Sequence, residues 1–187
     1  DPGAELSAAT IVNTWRAKEL ARILRVHGEA RFANRIADRI VAARADAPFT
    51  TSARLVQVIA DAIPAAARHT GGHPAKRTFQ ALRIVVNGEL ESLADVLPAG
   101  LSALAPGGRM AVLAYHSGED RLVKQSFAKA SSDRVPAGVP AVPAGYAAEF
   151  SLLTRGAERP SAAEIEANPR AASARLRAIT RNQEVDR

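Results

Sequence analysis

Residues 106–121 read PGGRMAVLAYHSGEDR, and they contain the first segment of the chain that predicts a strand. A turn over 106–109 precedes the apolar run 110–114, which has the length and composition of a buried β-strand. Polar and ionisable residues crowd positions 115–121 directly after it. Because ligands bind at the carboxyl ends of strands in open α/β sheets, we interpret 115–121 as a candidate site.

Length and composition limit the classes of protein to consider. At roughly 100–200 residues per domain, 187 residues make one large domain or two small ones. The chain has no cysteine, which excludes disulfides and thiol chemistry and is compatible with a reducing cytoplasm. No apolar run approaches the roughly 18–20 residues that span a bilayer, and no secretory leader opens the chain. We therefore expect a cytoplasmic location.

The net charge of +6 and the pI near 10.4 favour an anionic partner. Arginine far outnumbers lysine, and its guanidinium binds phosphate through two parallel hydrogen bonds. Nucleic-acid binding is one explanation of this excess. The other is the amino-acid usage of a GC-rich genome, and composition alone leaves both explanations open.

The first half of the chain predicts helices. Ser7 can cap a helix over 8–14, and further helices are predicted over 17–27 and 29–44. Thr50 or Thr51 can cap the next one, which Pro64 interrupts. Three arginines lie at i, i+4 and i+8 along the helix 29–44, and we call them the arginine stripe: Arg31, Arg35 and Arg39. A glycine-containing linker over 69–74 follows this helical domain.

The second half predicts a mixture of helices and strands. A helical stretch over 75–104 is expected to break near Gly88 or Pro98. The strand 110–114 precedes a helix over 119–130, a loop over 131–147, and strand candidates at 150–154 and 176–179. Ser161 and Glu164 predict a capped short helix between the last two strands. Such a small sheet would have an unprotected edge, which suggests that part of it lies upstream.

Residues 116–121 allow two interpretations. In the first, His116 and Ser117 belong to a substrate pocket. In the second, Glu119 and Asp120 stabilise the N-terminus of the following helix, and Arg121 is a structural ion-pair partner. A Ser-His hydrolase is not expected, because adjacent side chains on an extended chain point to opposite faces. No metal site is expected either, because the only histidines with the spacing of a ligand pair, His69 and His73, flank a Gly-Gly linker and are not held on one helical face.

A helix starting near Pro74 would carry a second polar constellation. Lys76, Gln80, Arg83 and Asn87 share one face of it, which either contacts RNA or is simply solvated. Neither Gly71-Gly72 nor Gly107-Gly108 belongs to a glycine-rich phosphate loop of known type.

The segments 73–90, 104–109, 116–124, 154–161 and 168–177 together resemble one family, the bacterial 16S rRNA (cytosine-N4)-methyltransferases. The resemblance extends over nearly the whole chain. It implies methyl transfer from S-adenosylmethionine to the exocyclic N4 of a cytidine in 16S rRNA, within the small ribosomal subunit. It also implies a class I, Rossmann-like methyltransferase sheet with an inserted all-α domain.

Within that family, this chain is similar to the C-terminal portion. Residues 1–70 then form the inserted helical domain, and 71–187 form the C-terminal part of the α/β domain. The S-adenosylmethionine-binding elements are expected upstream, so we expect the chain to be inactive alone. The family usually has leucine where Gly118 stands, phenylalanine in place of Tyr115 and serine in place of Ala114. Gly118 is expected to loosen the turn.

The resemblance assigns roles to particular residues. The substrate-pocket candidates are His116, Ser117 and Glu119. The expected RNA contacts are Lys76, Arg77, Gln80, Arg83, Asn87, Arg121 and the arginine stripe, Arg31, Arg35 and Arg39. The alternative is a non-catalytic RNA-binding or protein-docking module derived from the family. The sequence leaves open whether the chain forms a homodimer.

Overall fold

The computed structural model describes residues 5–28, 31–68, 73–133 and 146–183. The chain divides into two compact units, Asp1–Glu89 and Leu90–Arg187, which we call the helical unit and the sheet unit. The helix Lys76–Asn87, which follows the predicted linker, belongs to the first unit. The sequence prediction of a domain boundary at residue 70 assigns this helix to the second domain. Residues 69–72 lie outside the described residues, and the domain boundary at 70 stays a prediction.

The helical unit contains helices of 4 to 14 residues. They are α1 (Ala8–Thr14), α2 (Ala17–Val26), α3 (Ala33–Asp46), α4 (Ser52–Ala62), α5 (Ala65–Arg68) and α6 (Lys76–Asn87). The predicted caps are confirmed, because the hydroxyl of Ser7 accepts a hydrogen bond from the amide of Thr10, and that of Thr51 from the amide of Arg54. The start predicted for α3 at residue 29 is wrong, since Arg31 lies in a turn before the helix.

One apolar cluster holds the helical unit together. Most of its buried members come from α1, α2, α3, α4 and α6 and include Ile11, Leu20, Ile40, Ile59 and Leu82, each at most 2 % exposed. Helices α2 and α6 pack most closely where α2 ends. A Cβ atom on Gly28 would lie 2.5 Å from the carbonyl oxygen of Arg77, so only glycine allows this approach of the two backbones.

The sheet unit combines three helices, one 3-10 helix and three strands among its described residues. They are α7 (Glu89–Ala103), β1 (Arg109–Ala114), α8 (Ser117–Ala130), β2 (Phe150–Leu152), α9 (Ala162–Ala167), a 3-10 helix (Pro169–Ser173) and β3 (Arg175–Arg181). Gly88 takes the left-handed conformation, with φ of 59°, and separates α6 from α7, as the sequence predicts. Helix α7 continues through Pro98.

The strands form a three-stranded antiparallel sheet in the order β1–β3–β2. The last strand therefore lies between the two earlier ones, and β1 and β2 run in the same direction. Met110 is opposite Ile179, and Leu152 is opposite the same residue from the other side. The chain is thus a mixed α/β protein, and its sheet is small, as the sequence predicts. Of the loop predicted over 131–147, residues 134–145 lie outside the described residues.

The two faces of the sheet differ. On one face, Phe150 and Ile179 pack against α7 and α8 through Leu97, Val123 and Phe127. On the opposite face Leu113 is 48 % exposed, and its neighbours along β1 on that face, residues 109 and 111, are exposed as well. Helices of the described part of the sheet unit therefore cover only one side. None of the described helices has the length and apolarity needed to cross a membrane.

Candidate functional site

The turn between β1 and α8 is organised by the side chain of His116. This residue is the N-cap of α8, with extended backbone, and its Nδ1 accepts hydrogen bonds from the amides of Gly118, at 3.1 Å, and Glu119, at 3.4 Å. The helix begins at Ser117, so the predicted start at 119 is wrong by two residues. A single imidazole thus satisfies two of the amides that every helix leaves free at its first turn.

Glu119 completes the turn from the other side. Its Oε2 accepts hydrogen bonds from the backbone amides of Tyr115, at 2.6 Å, and His116, at 3.1 Å. The two side chains therefore form a capping box in which histidine takes the place usually held by serine or threonine. The interpretation of Glu119 as a residue that stabilises the start of the helix is confirmed.

These hydrogen bonds fix the tautomer of His116. Backbone amides can only donate, so Nδ1 must be the unprotonated acceptor and the ring proton must be on Nε2. Nε2 lies 3.4 Å from Oε1 of Glu119, and it is buried with no hydrogen-bond partner among the described residues. While the cap holds, Nδ1 of His116 is unavailable as a base.

The geometry of this turn explains why residue 118 is glycine. A Cβ atom built on it would lie 3.1 Å from both Cε1 and Nδ1 of His116 and 3.6 Å from a methyl group of Leu90. A larger side chain would press on the capping imidazole, which would have to move by a few tenths of an ångström. Glycine at this position therefore leaves room for the ring over the first turn of α8.

Asp120 is held by an arginine from the last strand. Both of its carboxylate oxygens accept from Arg177, at 2.7 and 3.1 Å, and the two side chains are 23 % and 15 % exposed. The hydrogen bonds from Arg177 lower the pKa of Asp120 below its ordinary value, and the charges of Arg177, Arg175 and Lys124 act in the same direction. The pair ties β3 to the start of α8.

Arg177 is the residue of this site that sequence reasoning missed. It occupies the strand predicted over 176–179, which is confirmed and extends over Arg175–Arg181. Its partner Asp120 lies 57 positions earlier, and no local spacing joins the two. The available signal was alternation, because Arg175, Arg177 and Arg181 share one face of β3 with Ile179.

The polar face predicted on α6 exists, but its two halves differ. Lys76 and Arg77 are exposed at the start of the helix, and Gln80 is half-buried. At its end, Arg83 forms a bidentate ion pair with Glu89, at 2.8 and 2.9 Å, and Asn87 donates to the same carboxylate at 3.0 Å. Arg83 and Asn87 therefore have a structural role already.

The arginine stripe is only partly as predicted. Arg35 and Arg39 are exposed on α3, one turn apart, whereas Arg31 lies in the turn before the helix. Arg121, a predicted RNA contact, and Ser117, a predicted pocket residue, are both exposed on the first half of α8.

Comparison with known proteins places these features in a family. A family model described as the MraW methylase family matches residues 1–182. The chain belongs to the MraW methylase family. The match includes both units, the turn after β1 and the whole of β3, so the family covers every element described above.

Curated relatives of this chain within the MraW methylase family carry the name "Ribosomal RNA small subunit methyltransferase H". The protein of Mycolicibacterium smegmatis is 60% identical over 179 residues, which is 96% of this chain and 48% of the relative. Those of Saccharopolyspora erythraea and Acidothermus cellulolyticus are 58% and 60% identical, over 98% and 95% of this chain and 56% and 54% of their own lengths. The chain spans about half the length of these relatives.

Proposed function

We propose that this chain is the C-terminal part of an enzyme that transfers a methyl group from S-adenosylmethionine to N4 of a cytidine in 16S rRNA. The observation that carries this proposal is identity near 60% over almost the whole chain to proteins named as small-subunit rRNA methyltransferases. The basic charge and the resemblance of the turn after β1 to the cytosine-N4 family support it.

The proposal includes an incomplete class I methyltransferase sheet. Among the described residues β1 pairs only with β3, so its other edge offers unpaired backbone groups, and the sheet face around Leu113 is uncovered. An exposed edge beside an exposed apolar face is a common site for further strands and helices. We propose that those elements lie in the half of the relatives that this chain does not cover. Residues 1–70 of this chain are proposed as the inserted helical domain.

The described residues do not fit S-adenosylmethionine by themselves. A class I fold binds its cofactor near the carboxyl end of a strand and the start of the next helix. In this chain the one described strand-to-helix turn is closed, because His116 accepts from the amides of Gly118 and Glu119 and the carboxylate of Glu119 accepts from those of Tyr115 and His116. The cofactor would supply the methyl group, and we assign its binding to elements outside this chain.

The turn after β1 is proposed to shape the cytosine end of the pocket. The amine of cytosine is a poor nucleophile because its lone pair is delocalised into the ring, so orientation contributes more than a strong base. The target base must also leave the RNA stack to enter a pocket. His116 and Glu119 hold the backbone of the turn, and Ser117 is exposed on its outer side. All three are proposed as pocket residues.

The helical unit is proposed to contact the RNA backbone. Residues 1–89 contain 13 basic and 8 acidic residues, whereas 90–187 contain 12 and 11, so most of the positive excess lies in the helical unit. Arginine and lysine neutralise phosphates and release bound counterions. The proposed contacts in this unit are Lys76, Arg77, Gln80, Arg83, Asn87, Arg31 and Arg35, and Arg121 is the one proposed in the sheet unit. The contact expected at Arg39 stays a sequence prediction, which substitution of Arg39 tests.

Two substitutions of His116 in the complete protein test the pocket assignment. His116→Ala removes both the cap and the imidazole, and His116→Asn keeps a side chain that caps helices well. We expect both variants to methylate 30S subunits more slowly, by roughly 100-fold for a misplaced reacting group, with little loss of rRNA affinity. Recovery of turnover in His116→Asn would reduce His116 to a capping role, and unchanged turnover in His116→Ala would remove it from the site.

A titration with S-adenosylmethionine separates this proposal from a non-catalytic RNA-binding or protein-docking module. Calorimetry on the 187-residue chain is expected to detect no binding, and the complete protein is expected to bind and to methylate. Micromolar binding to the chain alone would contradict the assignment of the cofactor site outside it. A complete protein that binds rRNA without methylating it would favour the non-catalytic module.

A further inference from the structure

A depression lies where the chain enters α3 in the helical unit. Its volume is about 270 Å³, somewhat below the roughly 300–1,000 Å³ of pockets for drug-sized ligands, so it suits a single small group. Its lining combines three arginines with an aromatic ring and the first turn of α3: Arg25, Arg31, Phe32, Ala33, Asn34 and Arg35.

The three arginines of the depression have no carboxylate partner among the described residues. Within the part of the chain that the structure describes, Arg25, Arg31 and Arg35 form no ion pair, and none of the described lining residues is acidic. Arg83 on α6 is different, because Glu89 neutralises it. Positive side chains that line one depression without a counter-charge attract an anion.

A hydrogen bond to Asn34, another lining residue, fixes the orientation of the Arg25 side chain. Its Nη2 donates to Oδ1 of Asn34 at 2.6 Å, which joins the end of α2 to the first turn of α3. One guanidinium is thus held in place, and its other N–H groups remain available as donors. A preoriented donor loses less conformational freedom when a ligand binds.

The start of α3 adds positive character. Phe32 is the N-cap, and its side chain cannot accept a hydrogen bond from the first amides of the helix. The first turn of this 14-residue helix also lacks an acidic residue. Amides and the helix dipole at such an end attract anions, and here they act together with the three arginines.

Phe32 gives the depression an apolar wall. The ring is half-buried and packs against the core of the helical unit, so it is held in position. The guanidinium of Arg31 lies over this ring, 5.5 Å from its centroid. Aromatic rings and arginine planes beside a basic groove are the surfaces on which unpaired bases stack.

We propose that this depression binds one nucleotide of single-stranded RNA, with its phosphate held by Arg25, Arg35 and the start of α3. The sugar or base then lies against Phe32 and Arg31. This inference rests on the proposed function for the choice of RNA as the polyanion. It replaces the arginine stripe by a local site, because Arg31 lies off the helix and Arg39 is not part of the lining.

Two single substitutions on α3 distinguish a local site from a stripe. Arg35→Gln and Arg39→Gln remove the same charge from exposed positions one helical turn apart. Binding of a 5′-labelled single-stranded RNA to the 187-residue chain is measured by fluorescence anisotropy at several salt concentrations. Arg35→Gln is expected to weaken binding about tenfold and to reduce the salt dependence by about one phosphate contact. Arg39→Gln is expected to change affinity less than about twofold, as a distant surface charge would.

Arg25→Gln and Phe32→Leu, both in the lining of the depression, are also expected to weaken RNA binding. The double variant Lys18→Gln, Arg22→Gln on α2 lies outside the lining and is expected to change RNA affinity little, although it removes two charges. Equal losses for Arg35→Gln and Arg39→Gln would overturn the local site in favour of diffuse attraction. Absence of RNA binding by the unsubstituted chain would also overturn it. That outcome would leave the methylation assay of the complete protein unaffected, so the two proposals can fail separately.

Discussion

The helical unit and the sheet unit have nearly equal lengths but differ in how much apolar surface each buries for itself. Among the described residues, the apolar cluster of the helical unit has 18 buried members and that of the sheet unit has six. Of the seven large apolar side chains that remain exposed, six lie in the sheet unit, for example Val96, Leu113 and Leu152. The comparison indicates that the helical unit has a complete core and the sheet unit does not.

The strongest test of this difference is to produce the helical unit and the sheet unit as separate proteins. We expect residues 1–89 alone to unfold in one cooperative transition, because their core is self-contained. Residues 90–187 alone are expected to lack a cooperative transition and to bind a hydrophobic dye. Thermal denaturation followed by circular dichroism, with dye fluorescence in parallel, makes the measurement. A cooperative transition of 90–187 would show that the sheet unit needs no further partner.

A pair of apolar substitutions tests the same difference inside the intact chain. Ile59→Ala in the helical core should cost about 2–5 kcal/mol, because Ile59 is fully buried and its loss leaves a cavity. Leu113→Ala on the uncovered sheet face should change the free energy of unfolding by less than about 0.5 kcal/mol. Urea denaturation compares both variants with the parent chain. A large cost for Leu113→Ala would mean that this face is covered in solution.

The ion pair between Asp120 and Arg177 joins β3 to the start of α8, and its contribution to stability should depend on pH. Arg177→Gln is expected to cost about 1–2 kcal/mol at neutral pH, because it leaves a partly buried carboxylate without its bidentate partner. The folded state lowers the pKa of Asp120, so the stabilisation is fully present above its ordinary value of 3.8. It disappears as the pH falls through the lowered value.

Denaturation of the parent chain and of Arg177→Gln at a series of pH values measures this difference. The gap between the two stabilities should be constant from neutral pH down to about pH 4 and should then close. Arg155→Gln, at another arginine of the sheet unit, is the matched control. A gap that persists unchanged at pH 2 would show that Arg177 acts through packing rather than through its charge.

The smallest expected change in stability is that of Gly118→Ala. Alanine in a helix is favoured over glycine by about 1 kcal/mol, but at this position its Cβ would press on His116, so we expect the two effects nearly to cancel. The signature is spectroscopic: nitrogen NMR should report the Nε2-protonated tautomer in the parent chain and shifted ring signals in Gly118→Ala. Gly156→Ala, where a Cβ meets nothing within 4 Å, should leave those signals unchanged. Unchanged signals in Gly118→Ala would contradict the proposed contact.

Local signals predicted the elements of both units well. The sequence predicts caps at Ser7, at Thr50 or Thr51, and at Ser161, because capping depends on residues three positions apart. It predicts a break near Gly88 or Pro98, and the break lies at Gly88, whose backbone angle ends α6. The start of α3 was wrong because helical spacing continued through Arg31 although the chain turns there.

Long-range contacts were beyond the reach of those signals. The pairing of Asp120 with Arg177 and the position of β3 between β1 and β2 join residues far apart in sequence. The turn after β1 was identified as a site from its composition. Its division into a histidine cap and a carboxylate cap depends on the side-chain geometry, which composition does not contain.

The central position of β3 also has a consequence for synthesis of the chain on the ribosome. Arg109 pairs with Thr180, and Phe150 pairs with Arg181. Both outer strands therefore gain their partner only when β3, the last strand in the sequence, has been synthesised. The first two strands to emerge, β1 and β2, do not pair with each other, whereas α1 to α6 complete their core from the first 89 residues. The helical unit can therefore fold early, and the sheet closes only when its last strand has been translated.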